Sequence, residues 1–271
     1  MKRSRQPTYA DFHVHTHLSP CGKPQATAAA LISRAREKGI AAIGFADHFT
    51  PAPVPGCPFY DRQRIEIVTA LRAEIAALAP ITEIEIAVGV EADYTLAGPA
   101  CMSPETLSQV DHVVCAASHF HLPAAPQPTG EGLRAKAELM LRMAREALIV
   151  PGVSIWAHPF DCSSMRPLAP ILETTRRDEL AALIDLANER QVAIEINGGP
   201  GLLDEYRQAT APLFRLARDL GARFTITADA HHPDDFTRLD LALDWAREMG
   251  FQNDDFLTPQ ELRARHRSKI S

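Results

Sequence analysis

The chain has 271 residues, of which 46% are apolar and 23% charged. That balance fits a globular protein with a full core and excludes a disordered chain. Lys and Arg number 28 against 34 Asp and Glu, a net charge of −6, so there is no basic excess to hold a long nucleic acid by its phosphates. No apolar run is long enough to cross a bilayer. The basic start, Met1 to Arg5, is not followed by the apolar stretch of a secretory signal. Cys21, Cys57, Cys101, Cys115 and Cys162 are scattered and odd in number, which suits a reducing compartment better than a disulfide framework. A cytoplasmic location is expected.

In chain order, apolar runs of strand length occur at Ala10–Val14, Ile40–Ala46, Ile84–Val90, Val110–Ala117, Val153–Ala157, Val192–Ile196 and Phe224–Ala228. Runs of this kind are what parallel strands covered by helices look like. Helical stripes lie between them: Val68, Leu71, Ile75 and Leu78; Leu180, Leu183, Ile184 and Ala187; Leu213, Leu216, Ala217 and Leu220. Gly39, Gly221 and Gly250 stand where helices should stop. The Pro-rich stretches Thr50–Pro58 and Leu122–Thr129 read as loops, because the alternation continues on both sides. Seven strand–helix units in roughly 230 residues, one about every 33, give the rhythm of a βα barrel. An open doubly wound sheet has a similar rhythm, but no Gly-x-Gly-x-x-Gly follows the first strand. The expected fold class is α/β, a TIM-like barrel of seven βα units in a single domain over residues 8–250, with a short C-terminal extension at 251–271.

The polar residues favour the barrel. The first strand ends in His13 and His15, which share a face by alternation. The others end in Asp47-His48, in Glu91, in His119 and His121, in His158, in Glu195 and Asn197, and in Asp229 and His231. Every strand thus ends in a metal-competent side chain at its C-terminal end, the face on which barrels build active sites. Imidazoles with a few carboxylates suit Zn²⁺, Mn²⁺ or Fe²⁺. The ligands are too many for one tetrahedral ion, so two to three divalent metal ions are expected. Ions clustered in this way point to hydrolysis, above all of phosphate esters.

The motifs His13-x-His15-Thr, Asp47-His48, Glu91, Ser118-His119, His158-Pro159 and Asp229-Ala-His231 resemble, in order, those of the PHP (polymerase and histidinol phosphatase) superfamily. The resemblance runs from about residue 8 to 236 and implies a distorted (β/α)7 barrel with up to three metals and phosphoesterase activity. It implies that His13, His15, Glu91 and Asp229 hold the first metal. Glu91 would bridge to a second, completed by His119 and His158. His48 and His231 would hold the third. Where many members have a further histidine ligand, this chain has Cys21, which has two readings: a thiolate ligand or a loop thiol beside a labile site. His121 is close enough in sequence to exchange roles with His119, and His17 either lines the pocket or is solvated. His112, His232 and His266 read as structural or solvated.

Glu195 is either a partner orienting a ligand histidine or a proton donor to the leaving alkoxide, and Asp47 invites the same pair of readings. Asp229, His231 and Glu195 are the catalytic candidates. Arg166 is the first choice for gripping phosphate, with His121 and His17 as further substrate contacts; Arg62, Arg64 and Lys23 lie on the same rim.

The closing motifs look most like the histidinol-phosphate phosphatase branch, except that Gly198 to Leu203 lack the arginine expected in a Gly-Leu-Arg-like turn. The expected activity is hydrolysis of a small-molecule phosphomonoester by a metal-bridging hydroxide. The alternatives are a phosphodiesterase acting on a cyclic phosphate or short nucleotide, and a non-catalytic metal-binding regulatory module. An amidohydrolase would need a carbamate lysine that is not evident. Oligomeric state is left open.

Overall fold

The computed structural model describes residues 9–161 and 165–270. Among these residues seven parallel strands follow one another around a barrel in chain order: β1 (Ala10–Val14), β2 (Ala42–Phe49), β3 (Glu85–Thr95), β5 (Val113–Ala116), β6 (Ile155–Trp156), β7 (Ala193–Asn197) and β8 (Phe224–Thr227). The short β4 (Gly98–Pro99) turns back antiparallel on the end of β3. The helices are α1 (Ala28–Glu37), α2 (Glu66–Ala76), α3 (Pro104–Leu107), α4 (Leu133–Leu148), α5 (Leu168–Glu173), α6 (Arg177–Glu189), α7 (Asp204–Asp219), α8 (Thr237–Glu248) and α9 (Pro259–Ile270). Gly39, Gly221 and Gly250 follow helices with φ of +72°, +73° and +85°, the left-handed turn expected of them. Among the described residues no helix is long and apolar enough to cross a membrane.

The seam between β8 and β1 is nearly closed. His15 N donates to Ala230 O at 2.8 Å, and the buried Asp11 carboxylate accepts from His13 N at 3.1 Å and Ala228 N at 2.9 Å. Burial pushes the Asp11 carboxyl up to about 7, against the pull of those backbone donors.

Alternation sorts the strands into two faces. Ile43 and Phe45, Val88 and Val90, Ile194 and Ile196, and Phe224 and Ile226 pack outward with the helices. Ala42, Ala46, Ala87, Val114, Ala116, Ile155, Ala157 and Ala193 face inward. The inner residues are small because two rings fill the barrel, Phe12 and His112, whose centroids are 5.5 Å apart. A Cβ on Gly89 would lie 2.4 Å from His112 O, a clash with backbone that no rotamer change relieves. His112 bonds Phe12 O at 2.9 Å, in keeping with its structural reading.

β1 carries one extra residue between its pairings with β2: Asp11 faces Ile43 and Val14 faces Phe45. Such a bulge turns a side chain that would have faced out, and it lets His13 follow the inward Phe12 and still reach the barrel interior.

The extension after Gly250 packs against the N-terminal end of the barrel. Leu257 and Leu262 join the inner cluster, and Leu257 N donates to Phe224 O at 2.8 Å. Arg263 bonds Ile86 O and pairs with Glu85, Arg265 bonds Gln191 O, and Lys269 bonds Val153 O and Gln191 O. His266 is buried between Leu107 O and Ser154.

Candidate metal centre

At the opposite, C-terminal end the strands deliver His13 from β1 and His15 just beyond it, His48 from β2, Glu91 and Asp93 from β3, His119 beyond β5, His158 beyond β6, Glu195 from β7 and Asp229 beyond β8. Among the described residues four triples of ligand atoms lie within 4.8 Å of one another: His13, His15 and Asp229; His13, Glu91 and His158; His48, Glu91 and His119; His15, Cys21 and His48. Glu91 is the hub. Its Oε1 lies 3.2 Å from His158 Nε2, 3.4 Å from His13 Nε2 and 3.7 Å from His119 Nε2. Its Oε2 lies 3.0 Å from His48 Nδ1 and 3.4 Å from His15 Nε2. Asp229 Oδ1 lies 3.3 Å from His15 Nε2.

Each histidine is held from behind. His13 Nδ1 donates to Glu195 at 2.8 Å, and His158 Nδ1 meets Ser118 Oγ at 2.8 Å. His231 Nδ1 donates to Asp229 O at 2.8 Å, and its ring stacks on that of His15 at 4.4 Å. A proton fixed on one ring nitrogen leaves the lone pair on the other. His158 and Asp229 take φ of +23° and +51°, backbone that non-glycine residues adopt where surrounding contacts impose it.

The electrostatics are those of a cation cage. Burial opposes ionisation of Glu91 and Asp229, but His48 and His13 hold the first, and His13 and His15 the second, well below the usual carboxylate range. Burial likewise disfavours the Cys21 thiolate, yet His15 and His48 outweigh it and hold the thiol far below its ordinary value. Conversely, His13 and His48 are raised by Glu195 and Asp93 against desolvation, and His158 rises to about 9 beside Glu91. The fit to metal shows in two atoms: Glu91 Oε2 and Asp229 Oδ1 are buried and accept no hydrogen bond among the described residues. Such an orphaned acceptor costs about 1–3 kcal/mol, a cost that coordination to a cation removes. The imidazole, carboxylate and thiolate set suits Zn²⁺, Fe²⁺ or Mn²⁺.

The structure places the other candidates as follows. His119 reaches Glu91, whereas His121 is exposed beside it with ring centroids 5.5 Å apart. The expected Cys21, His48 and His231 group is present with a difference: the tight triple has His15, and His231 stands against the Cys21 thiol. His17 turns toward Glu74 at 3.8 Å. Arg166 pairs with Glu205 at 3.2 Å, outside the cluster. Arg64 is used structurally, its Nη1 bonding Thr50 O, Thr50 Oγ1, Tyr60 O and Gln63 O. Asp47 latches Thr16 through N and Oγ1, both at 2.6 Å, rather than facing the cluster. Glu195 accepts from His13 and Thr227 on Oε1 and from His158 N and Asn197 on Oε2. Both its oxygens are thus occupied, which favours the orienting reading over the proton donor.

Sequence reasoning missed Asp93. Its signal was present, since Glu91-Ala-Asp93 puts two carboxylates on one face. The two Pro-rich loops pack together beside the cluster: Cys57 and Tyr60 lie with Ala124, flanked by Val54, Phe59 and Leu122, and Phe59 lies edge-on to His48 at 4.9 Å.

No curated protein matches the sequence. Among solved structures, a histidinol phosphate phosphatase from Lactococcus lactis, complexed with zinc, L-histidinol and phosphate, superposes with a TM-score of 0.60 at 15% identity, over 90% of this chain and 95% of that one. A candidate histidinol phosphatase from Listeria monocytogenes gives a TM-score of 0.60 at 13% identity, over 84% and 97%. These likenesses bear on the fold. The sequence profile of the PHP domain matches residues 11–198, and the barrel brings Asp229 and His231 from beyond that match to the same mouth. With well over half its length matched, the chain belongs to the PHP domain family.

Proposed function

We propose that the protein is a metal-dependent phosphatase that hydrolyses a small phosphorylated molecule, a monoester in preference to a diester. The observation that carries this reading is the convergence of side chains from the barrel strands on one mouth, six strands bringing candidate ligands and β7 the orienting Glu195, with Glu91 Oε2 and Asp229 Oδ1 buried and accepting no hydrogen bond among the described residues. His13, His15, Glu91 and Asp229 would hold one ion, and Glu91, His119 and His158 a second. His48 and Cys21, with His231 alongside and His15 in reach, would hold a third. Bound there, divalent ions supply water acidic enough to react at neutral pH and neutralise charge developing on phosphoryl oxygens. The chain's own part is to hold the lone pairs in place. Glu195 fixes His13, Ser118 fixes His158 and Asp229 O fixes His231, while Phe59 packs edge-on against His48.

Histidinol phosphate is a candidate substrate because the Lactococcus lactis protein of the same fold is complexed with L-histidinol and phosphate. Against it, the rim segment from Gly198 to Leu203 carries exposed Leu202 and Leu203 and no arginine. His121 and His17 are the remaining substrate contacts we retain, and Arg166 would have to exchange Glu205 for phosphate. The free thiols at Cys21, Cys57, Cys101 and Cys115 support a reducing compartment, the cytoplasm; Cys162 lies outside the described residues.

Protein loaded with Zn²⁺ or Mn²⁺ should hydrolyse p-nitrophenyl phosphate faster than its bis-ester, and His158→Ala should abolish the reaction. A preference for the bis-ester would replace the monoester reading with the diesterase one. Full activity in His158→Ala would remove that residue from the centre.

A further inference from the structure

Asp93 has no role in any of the ligand sets above, yet it is fully buried and touches two of them. Its Oδ2 lies 2.8 Å from His48 Nδ1 and its Oδ1 2.6 Å from His119 Nδ1. The two histidines come from different places in the chain, one from β2 and the other from the loop after β5, and a single carboxylate spans them. The Tyr60 hydroxyl on the loop after β2 also faces Asp93.

The backbone at Asp93 is fixed with unusual care. β3 continues past Glu91 to Thr95 and is turned back by β4 through Tyr94–Pro99 and Thr95–Gly98 pairing. Asp93 O accepts from Ala100 N at 2.8 Å, and Leu96 N donates to Ala124 O at 2.6 Å, tying the hairpin to the second Pro-rich loop. On the other side Asp93 pairs with Ala116 of β5.

We propose that Asp93 is a positioning residue that fixes the tautomers of His48 and His119 together, and so couples the second ion site, which His119 serves with Glu91, to the third, which His48 serves. A carboxylate accepts on both oxygens, so both rings must carry their proton on Nδ1, and each keeps its lone pair on Nε2. His119 Nε2 is the atom that faces Glu91, at 3.7 Å. The inference rests on the metal reading above, and its test does not use turnover.

Asp93→Asn is nearly isosteric but breaks the symmetry. The amide oxygen still accepts from one ring, while the amide NH₂ faces the other Nδ1 and forces the lone pair there, moving that ring's proton to Nε2. In zinc-loaded, ¹⁵N-histidine-labelled wild type, His48 and His119 should each show a slowly exchanging Nδ1–H proton resonance. Asp93→Asn should lose one of the two and bind one ion roughly 10- to 100-fold more weakly, read by metal analysis against a chelator series. Asp93→Ala should lose both resonances. If wild type takes up no ions, the metal reading fails. If wild type takes up ions and Asp93→Asn retains both Nδ1–H resonances with unchanged affinity, the positioning role of Asp93 is overturned.

Discussion

Glu195 is fully buried and accepts four hydrogen bonds, from His13 Nδ1, Thr227 Oγ1, His158 N and Asn197 Nδ2, between 2.6 and 2.9 Å. The bond from His158 N pins the residue whose φ is +23°, so one carboxylate both orients a ligand ring and holds a strained backbone. Glu195→Gln keeps the shape, but its NH₂ must face a pair of donors whichever way the amide turns. The expected cost is about 2–3 kcal/mol, seen in urea unfolding, together with a roughly 10- to 100-fold weaker grip on ions. A proton donor would behave otherwise: the variant would keep its ions and lose kcat. Measuring metal content beside kcat separates the two.

Among the elements, the barrel interior carries its own pH dependence. His112, just before β5, packs its ring inside the barrel over Gly44 of β2 and Gly89 of β3 and is fully buried; burial, against the pull of Phe12 O, lowers it to about 4. An unfolded histidine titrates near 6.5. Between those values the unfolded chain binds the extra proton, so stability falls as the solution is acidified through that window and is fully present above it. The loss attributable to this group is about 3 kcal/mol by pH 4. In His112→Gln that share should vanish, leaving a shallower acid limb in a pH series of denaturant unfolding than wild type shows. Equal limbs would mean that His112 is protonated without penalty.

The same layering explains what could be read in advance. Alternation and strand-end ligands were legible because each strand repeats one rule, with apolar residues out and a polar residue at the mouth. The continuation of β3 was not: past Val90, Glu91, Asp93 and Thr95 alternate with Ala92 and Tyr94, and polar residues in a strand look like a loop until a cluster exists for them to face. The partners Asp11, Asp47 and Ser118 were undervalued or misread for a related reason. Their tasks depend on which backbone or ring another strand brings near, and no local pattern encodes that.

Across the whole molecule the two ends of the barrel divide the work, chemistry at the C-terminal mouth and stability at the N-terminal floor. The last helix shows the division. Its sequence, rich in Arg and Lys, gave little sign of packing, because its apolar contribution is concentrated in Leu262, and its cations bond the carbonyls of Ile86, Val153 and Gln191. Leu262 is 1% exposed and lies in the inner cluster with Phe12, Ala42 and Ala87, on the far side of His112 from the ligands. Leu262→Ala should therefore cost about 3 kcal/mol and lower Tm by roughly 5–10 °C. At 20 °C its ion content should equal that of wild type, since no ligand is supported from below by α9. An unchanged Tm would mean that the floor is closed without this helix, and lost ions at an unchanged fold would mean that the two ends are coupled through the Phe12 and His112 layer.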